Sequence, residues 1–292
     1  FFGGGCRKIR LLPRLAKTKM FRSVAKACFA TGSLTSLAHP LCRSRCEAAA
    51  PQRSAVIVGV SNEPGLGFSI AKRFAEGGLK VGIVGRQRAR LDACKASIEA
   101  SVPTAHVTCV ECDATDPNAV HAAFKTLEQQ QGPPDALIYN LAARPFPPQS
   151  LSEVDPARLE YDWKTGPYGA LLCTQAVIKS MQEAGRGAIL ITGASASLRG
   201  SARFGSFGCS KMSLRAFAQS LAKEVSPAGI HVAHVVVDCL VDMPLITQHF
   251  DNVDKGRMLD TTAAAEMYWQ LYQQEKRCFV FEVDVRPYLA QW

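Results

Sequence analysis

The chain has 292 residues, 47% of them hydrophobic and 20% charged, with a formal net charge of +9 at pH 7. That length suits one α/β domain with a substantial core plus a leader. The charge is localised: residues 1–54 carry eleven Lys and Arg against one acid, Glu47, while the other 238 residues carry 23 basic and 24 acidic side chains. The part expected to fold is near neutral, which argues against a nucleic-acid-binding face, and no apolar run reaches the ~18 residues of a membrane span.

From Met20 to Cys46 there is no acid, Ser and Thr recur, and Arg22 and Lys26 share a helix face opposite Phe21, Val24, Ala25, Cys28 and Phe29. This pattern predicts an organelle transit peptide, mitochondrial first, with a plastid or cytoplasmic location as the alternatives. Residues 1–53 are expected to be leader and linker without stable structure, and residues 54–292 the folded domain.

The folded part opens at Ala55 with the apolar strand AVIVGV, followed by a helix over Phe68–Glu76. Strand Lys80–Val84, a helix from Ala89 to Ala100, strand His106–Cys112, a helix over Asn118–Gln130 and strand Ala136–Tyr139 follow. One long helix is predicted over Trp163–Glu183, then strand Ala188–Ile191, helix Lys211–Val225 and strand Ile230–Val237. Helix Thr261–Gln274 and a last strand, Cys278–Val283, complete the series. Strict alternation means right-handed crossovers and a parallel sheet covered by helices on both faces. The expectation is a single-domain, doubly wound parallel sheet of six or seven strands in three α/β/α layers, of the Rossmann type.

Three glycines, Gly59, Gly65 and Gly67, follow the first strand and open a helix, where backbone N–H groups and the helix dipole favour a pyrophosphate. Ser61 lies in the same loop. The second strand ends in Gly85-Arg86-Gln87-Arg88, with no acid before Asp92. Arg86 and Arg88 suit a 2′-phosphate, because a guanidinium fork matches phosphate oxygens. Asp113 ends the third strand, and Asp116 has the position of a helix cap. Asn140 follows the fourth strand.

The segment from Ala188 to Lys211, AILITGASASLRGSARFGSFGCSK, passes from a buried strand through a basic turn into a helix. It resembles the catalytic segment of the short-chain dehydrogenase/reductases, in which a Ser precedes a Tyr by 13 residues and a Lys follows the Tyr by four. The resemblance puts Lys211 on the Lys, Phe207 on the Tyr, Ala194 on the Ser, and Gly166 on the family's helical Asn. It implies that Asp113 meets the adenine ring, that Asn140 belongs to the turn after the fourth strand, and that Lys211 holds the cofactor ribose. Asp238-Cys239 stands where the family has Pro-Gly near the nicotinamide. The loop Gly59–Gly65 is two residues longer than the family's, and Glu63 lies within it. The C-terminal segment resembles an atypical subgroup, ending in a Tyr-Trp helix and an acidic strand before Arg-Pro, in which Phe also replaces the Tyr.

The resemblance implies an NADP(H)-dependent oxidoreductase acting on a carbonyl or hydroxyl of a small-molecule substrate, with NAD(H) possible, lacking the usual Ser and Tyr. Ser195, Ser197 and Ser206 are the replacement hydroxyls, Ser195 being nearest to the vacated Ser position. The alternative is a non-catalytic dinucleotide-binding or assembly protein of an organelle. A homodimer or homotetramer is implied on the same ground.

Eleven cysteines in odd number and irregular spacing suggest no disulfide framework. Cys109, Cys173 and Cys278 sit in apolar patterns and read as small core residues, and Cys109-x-x-Cys112 lacks a second ligand pair for zinc. His231 and His234, three apart on one strand, are expected on opposite faces of the sheet.

Overall fold

Strands covered on both faces need near-continuous apolar runs, and SAVIV, ALIY and IHVAHVVV supply them, every residue buried. The computed structural model describes residues 52–61, 63–143, 146–247 and 253–290; apart from Gln52 and Arg53, the leader expected at 1–53 lies outside the described residues. In chain order the elements are β1 (Ser54–Val58), α1 (Leu66–Glu76), β2 (Lys80–Gly85), α2 (Arg88–Ser101), β3 (His106–Glu111), α3 (Pro117–Gln131) and β4 (Ala136–Tyr139). The second half comprises α4 (Pro156–Trp163), α5 (Gly169–Ala184), β5 (Gly187–Thr192), α6 (Gly205–Val225), β6 (Ile230–Val237) and β7 (Leu240–Val241). It ends with α7 (Pro244–Thr247), β8 (Met258–Leu259), α8 (Thr261–Tyr272) and β9 (Glu282–Val285).

Seven strands form one parallel sheet in the order β3-β2-β1-β4-β5-β6-β9, and β7 pairs with β8 beside it. The winding direction reverses between β1 and β4. In an open sheet of this kind, ligands bind at the carboxyl ends of the strands at such a reversal.

Alternate strand residues feed two cores. Ile57, Ile83 and Leu190 pack with Phe74 of α1, Leu91 of α2 and Tyr268 and Trp269 of α8. Val56, Leu137 and Ile189 pack with Phe124 of α3, Val177 of α5 and Leu214 of α6. These are the three layers. At the α1–α8 seam, Phe74 meets Trp269 edge-to-face at 5.3 Å, and the Arg73 guanidinium lies 4.6 Å above the Trp269 ring. Asp116, Asp155 and Asp260 cap α3, α4 and α8 by accepting bonds from first-turn N–H groups, as Asp does where a helix must start sharply.

Four local expectations are corrected. The single helix over Trp163–Glu183 is instead α4, a π-helical turn at Lys164–Tyr168 and α5; Pro167 lacks the N–H to continue the ladder and Gly166 is non-helical (φ −90°, ψ −110°). Helix α6 starts at Gly205, six residues before the expected Lys211. The last strand lies at Glu282–Val285 rather than Cys278–Val283: Cys278 N–H bonds Glu275 O and Val280 N–H bonds Gln274 Oε1, so 278–280 form the turn, and pairing with β6 begins at His234 N–H to Phe281 O. Cys278 is exposed in that turn and is not a core residue, whereas Cys173 is buried.

Candidate active site

The cofactor half is built by close backbone approach. Gly59 ends β1 in the left-handed region (φ +96°), and a Cβ there would stand 2.8 Å from Leu141 N and 2.9 Å from Asn140 C. A Cβ on Gly67 would stand 2.5 Å from Gly59 O, so the first turn of α1 presses on the end of β1. Asn140 ties the same point across the sheet, its Nδ2 donating to Gly59 O at 3.2 Å. Gly85 lets the loop fold over β2, since a Cβ there would meet Val60 O at 2.4 Å. Gly65 caps α1 with extended backbone and no side-chain bond, and no acid lies in the first turn. Uncapped N–H groups at the positive end of a helix are the donor set a pyrophosphate requires, so these residues fit the phosphates of a dinucleotide. Ser61 and Glu63 are exposed in the loop before them.

Farther along the edge, Arg86 and Arg88 are both exposed. Arg86 Nη1 donates to Tyr161 Oη at 2.7 Å, whereas Arg88 Nε is engaged by both carboxylate oxygens of Asp92, at 2.9 and 3.0 Å. Asp113 Oδ1 accepts from Thr115 N and Thr115 Oγ1, closing the turn between β3 and α3.

The catalytic half surrounds Lys211. Its side chain, 3% exposed, donates from Nζ to Thr192 O at 2.8 Å, and burial lowers its pKa from 10.5 to about 8. The Phe207 ring centroid is 5.9 Å from Nζ, one helical turn away. Ala194 N–H donates to Ser197 Oγ at 3.1 Å, so that hydroxyl serves the turn itself, while Ser195 is half-buried. Ser206 does not join them: its Oγ donates to Asp162 Oδ2 at 2.6 Å, toward α4. Asp162, fully buried, also pairs with Arg158 Nε at 2.8 Å and accepts from Ser210 Oγ through its backbone carbonyl. A Cβ on Gly166 would stand 2.2 Å from Ser210 Oγ, so an Asn there requires Ser210 to move.

Two networks behind this half were not anticipated from the sequence. Asp238, at the end of β6, receives Arg199 Nη2 at 2.8 Å and Arg286 Nη2 at 2.7 Å. Glu282 of β9 takes a two-pronged bond from Arg215 of α6 (2.6 and 2.8 Å) and holds Nδ1 of His234 at 2.9 Å. The Arg215 bond, the first cause, keeps the Glu282 carboxyl low, and burial lowers His234. His234 Nε2 has no partner among the described residues and faces Gly193, where a Cβ would come within 2.3 Å of it. His231 lies on the opposite face, as period two requires, its ring nitrogens against Leu271 O and Val280 O. The partners in each network are more than thirty residues apart in sequence, so no local spacing announces them.

Cys109 and Cys112 pack into opposite cores, and burial raises both thiols to about 11. Two open clefts, about 470 and 500 Å³, lie at the other end of the sheet around Lys80 and His106 and around Asp135 and Gly187. They contain none of the glycines of the turn and neither Arg86, Asp113, Asn140 nor Lys211, and the chemistry is assigned to the carboxyl edge because the converging groups are there.

A sheet wound in this order, with a glycine turn at its reversal, defines a dinucleotide-binding class of fold. Residues 53–247 match the family described as short chain dehydrogenase, which is more than half of the chain. The protein belongs to that family. It is similar to the 3-oxoacyl-[acyl-carrier-protein] reductase MabA of Mycobacterium avium, 27% identical over 212 residues, 70% of this chain and 74% of the relative. A crystal structure of a short-chain dehydrogenase from Rhodopseudomonas palustris is 31% identical, with a TM-score of 0.68, over 81% of this chain and all of that one. The alcohol dehydrogenase of Thermococcus sibiricus, complexed with 5-hydroxy-NADP, shares the fold at 21% identity and TM-score 0.73, covering 82% and 98% of the two chains. No described helix is long and apolar enough to cross a membrane.

Proposed function

We propose that this protein is an NADP(H)-dependent oxidoreductase interconverting a carbonyl and a hydroxyl on a small molecule, with Lys211 as its ionisable catalytic group. The observation that carries this reading is the buried Lys211 amine, brought by desolvation to about 8 beside a Phe207 that has no proton to exchange. Bound NADP(H) supplies or accepts the hydride. Gly59, Gly65 and Gly67 seat its phosphates against α1, Ser61 borders them, Asn140 fixes the floor, and Asp113 faces the adenine end. Arg86, with Arg88 nearby, favours NADP(H) over NAD(H), in keeping with the NADP-type cofactor bound in the Thermococcus sibiricus structure.

In the reductive direction the Lys211 ammonium gives a proton to the carbonyl oxygen being reduced and is recharged from solvent. Ser195 donates a hydrogen bond to the same oxygen in place of the Ser that the family carries at Ala194. A general acid works best with a pKa near the working pH, and burial moves Lys211 in that direction. On this reading Phe207 marks an atypical subgroup with Phe in place of the Tyr, and Lys211 and Ser195 take over the proton and hydrogen-bond roles.

The second reading, a dinucleotide-binding or assembly protein without turnover, draws on the 3% exposure of Lys211 and on the lack of an exchangeable side-chain proton at Phe207 and Ala194. Turnover decides between them: full-length protein with NADPH and a panel of aldehydes, ketones and oxoacyl thioesters should consume NADPH, and Lys211→Met should abolish consumption while retaining fold. Nucleotide binding with no turnover on any carbonyl class, unaffected by Lys211→Met, would favour the second. We further infer mitochondrial targeting by the leader from Met20 and a homodimer or homotetramer. Import of a leader–reporter fusion and sedimentation of the purified chain test these.

A further inference from the structure

Arg86 and Arg88 look equivalent in sequence, two residues apart after β2, but their surroundings differ. Arg88 is neutralised within its own helix by Asp92, with both carboxylate oxygens on Nε. Arg86 points the other way and bonds the phenol oxygen of Tyr161, 75 residues on, at 2.7 Å. Among the described residues no carboxylate pairs with Arg86. Its bond to Tyr161 uses Nη1 alone, and a guanidinium has five N–H donors.

Tyr161 belongs to α4, which packs on α6 well away in sequence from the β2–α2 turn. Its phenol is nevertheless at the adenine end of the edge. Burial is the main cause of the high pKa of the Tyr139 phenol, and Asp113 and Tyr161 are both near enough to raise it further. A Tyr hydroxyl both donates and accepts. Accepting from Arg86, Tyr161 retains its own proton for an incoming acceptor. The remaining Arg86 donors and the Tyr161 hydroxyl thus converge at one corner where, among the described residues, no carboxylate is bonded to either, which suits a dianionic phosphate.

We propose that Tyr161 is a positioning residue for cofactor selectivity, holding Arg86 in place to read the 2′-phosphate of NADP(H) and offering that phosphate a second donor, while Arg88 takes no part. The proposal depends on the NADP(H) reading above and goes beyond it by dividing the two arginines and adding a residue from a distant helix. An exposed Arg otherwise loses rotamer freedom when it binds; the Tyr161 bond removes part of that loss beforehand. Because NADH has no 2′-phosphate, Tyr161 should matter to one cofactor only.

The test is an equilibrium titration of the full-length chain with NADPH and with NADH, followed by nicotinamide fluorescence, on the wild type, Arg86→Ala, Arg88→Ala and Tyr161→Phe. The Tyr161→Phe change keeps the ring and its packing; thermal melts verify that each variant is folded. The expected result is that Tyr161→Phe raises the NADPH Kd roughly three- to tenfold, the scale of one hydrogen bond, with the NADH Kd unchanged. Arg86→Ala should raise the NADPH Kd by about tenfold or more, as loss of a charge-assisted contact does, and Arg88→Ala should change neither. A Tyr161→Phe protein that weakens both cofactors equally, or neither, while Arg86→Ala remains selective, would overturn the positioning role and leave the NADP(H) reading standing. Failure of Arg86→Ala to discriminate the cofactors would overturn both.

Discussion

The two halves of the carboxyl edge carry different kinds of group. Around β1, β2 and α1, contacts at Gly59, Gly67 and Gly85 leave no room for a Cβ, and the uncapped start of α1 keeps the donors a pyrophosphate needs. Around β5 and α6, Ala194, Phe207 and Gly166 occupy the positions where the family resemblance expects Ser, Tyr and Asn, and Lys211 alone is kept. The contrast teaches that backbone geometry for a cofactor and side-chain equipment for proton transfer vary separately. A glycine cradle is held by the packing of the sheet itself, so it does not depend on which side chains stand at 194 and 207.

The largest effect should come from restoring the missing equipment. Ala194→Ser with Phe207→Tyr should raise carbonyl reduction by about a hundredfold, the scale of a positioned general acid, measured as steady-state NADPH consumption on the best substrate of a carbonyl panel. An unchanged rate would mean that the catalytic half no longer aligns a carbonyl with the cofactor. Breaking the other half is the converse experiment. Gly67→Ala places a methyl 2.5 Å from Gly59 O, so NADPH affinity should fall at least about tenfold, with about 1–3 kcal/mol of stability lost to overpacking; fluorescence titration and urea unfolding read the two effects separately.

A smaller effect is expected behind the catalytic half. Asp238→Asn removes the charge that holds Arg199 and Arg286 together and should cost about 1–3 kcal/mol in urea unfolding, in the range for a charge-assisted bond. Stability equal to that of the wild type would show that the pairing is incidental.

The smallest effect is the pH dependence of stability contributed by Lys211. Its folded pKa, about 8, lies below the ordinary 10.5, so between these values the unfolded chain binds more protons than the folded one, and this group makes stability rise with pH. From about pH 8 upward the buried Cys94 and Cys112 and the half-buried Cys109 and Cys239, raised from 9.0 to about 11, act in the opposite sense. The thiol contribution is common to both proteins, so in urea melts the wild type should gain about 1 kcal/mol relative to Lys211→Met between pH 8 and 9. Parallel profiles would place the Lys211 amine in contact with water.

The sheet was legible because its signals are local. Val- and Ile-rich runs and glycine turns marked six of the seven long-sheet strands to within a residue or two at each end, and Asp116 read correctly as a helix cap. The misplacements occurred where tertiary context prevailed. The break at Gly166-Pro167 divides what the helical pattern joins, and the pairing of β9 is decided by a turn at 278–280 rather than by the apolar run Cys278–Val283. The turn glycines were readable from their place between β1 and α1, and Lys211 from the family resemblance, whereas Tyr161, Asp162, Asp238 and the His234–Glu282–Arg215 chain were not. Each acquires its role from a partner across a helix or strand pair, and a chain read in order does not reveal which partner that is.

The central claim is that the cofactor half still works although the catalytic half has changed. Titration of the purified full-length protein with NADPH and with NADH tests it most directly. Saturable micromolar binding of NADPH, with NADH weaker by about an order of magnitude for want of the 2′-phosphate contacts, is the predicted result. No binding of either nucleotide would contradict the account, because the Gly59–Gly67 turn would then be a structural turn alone.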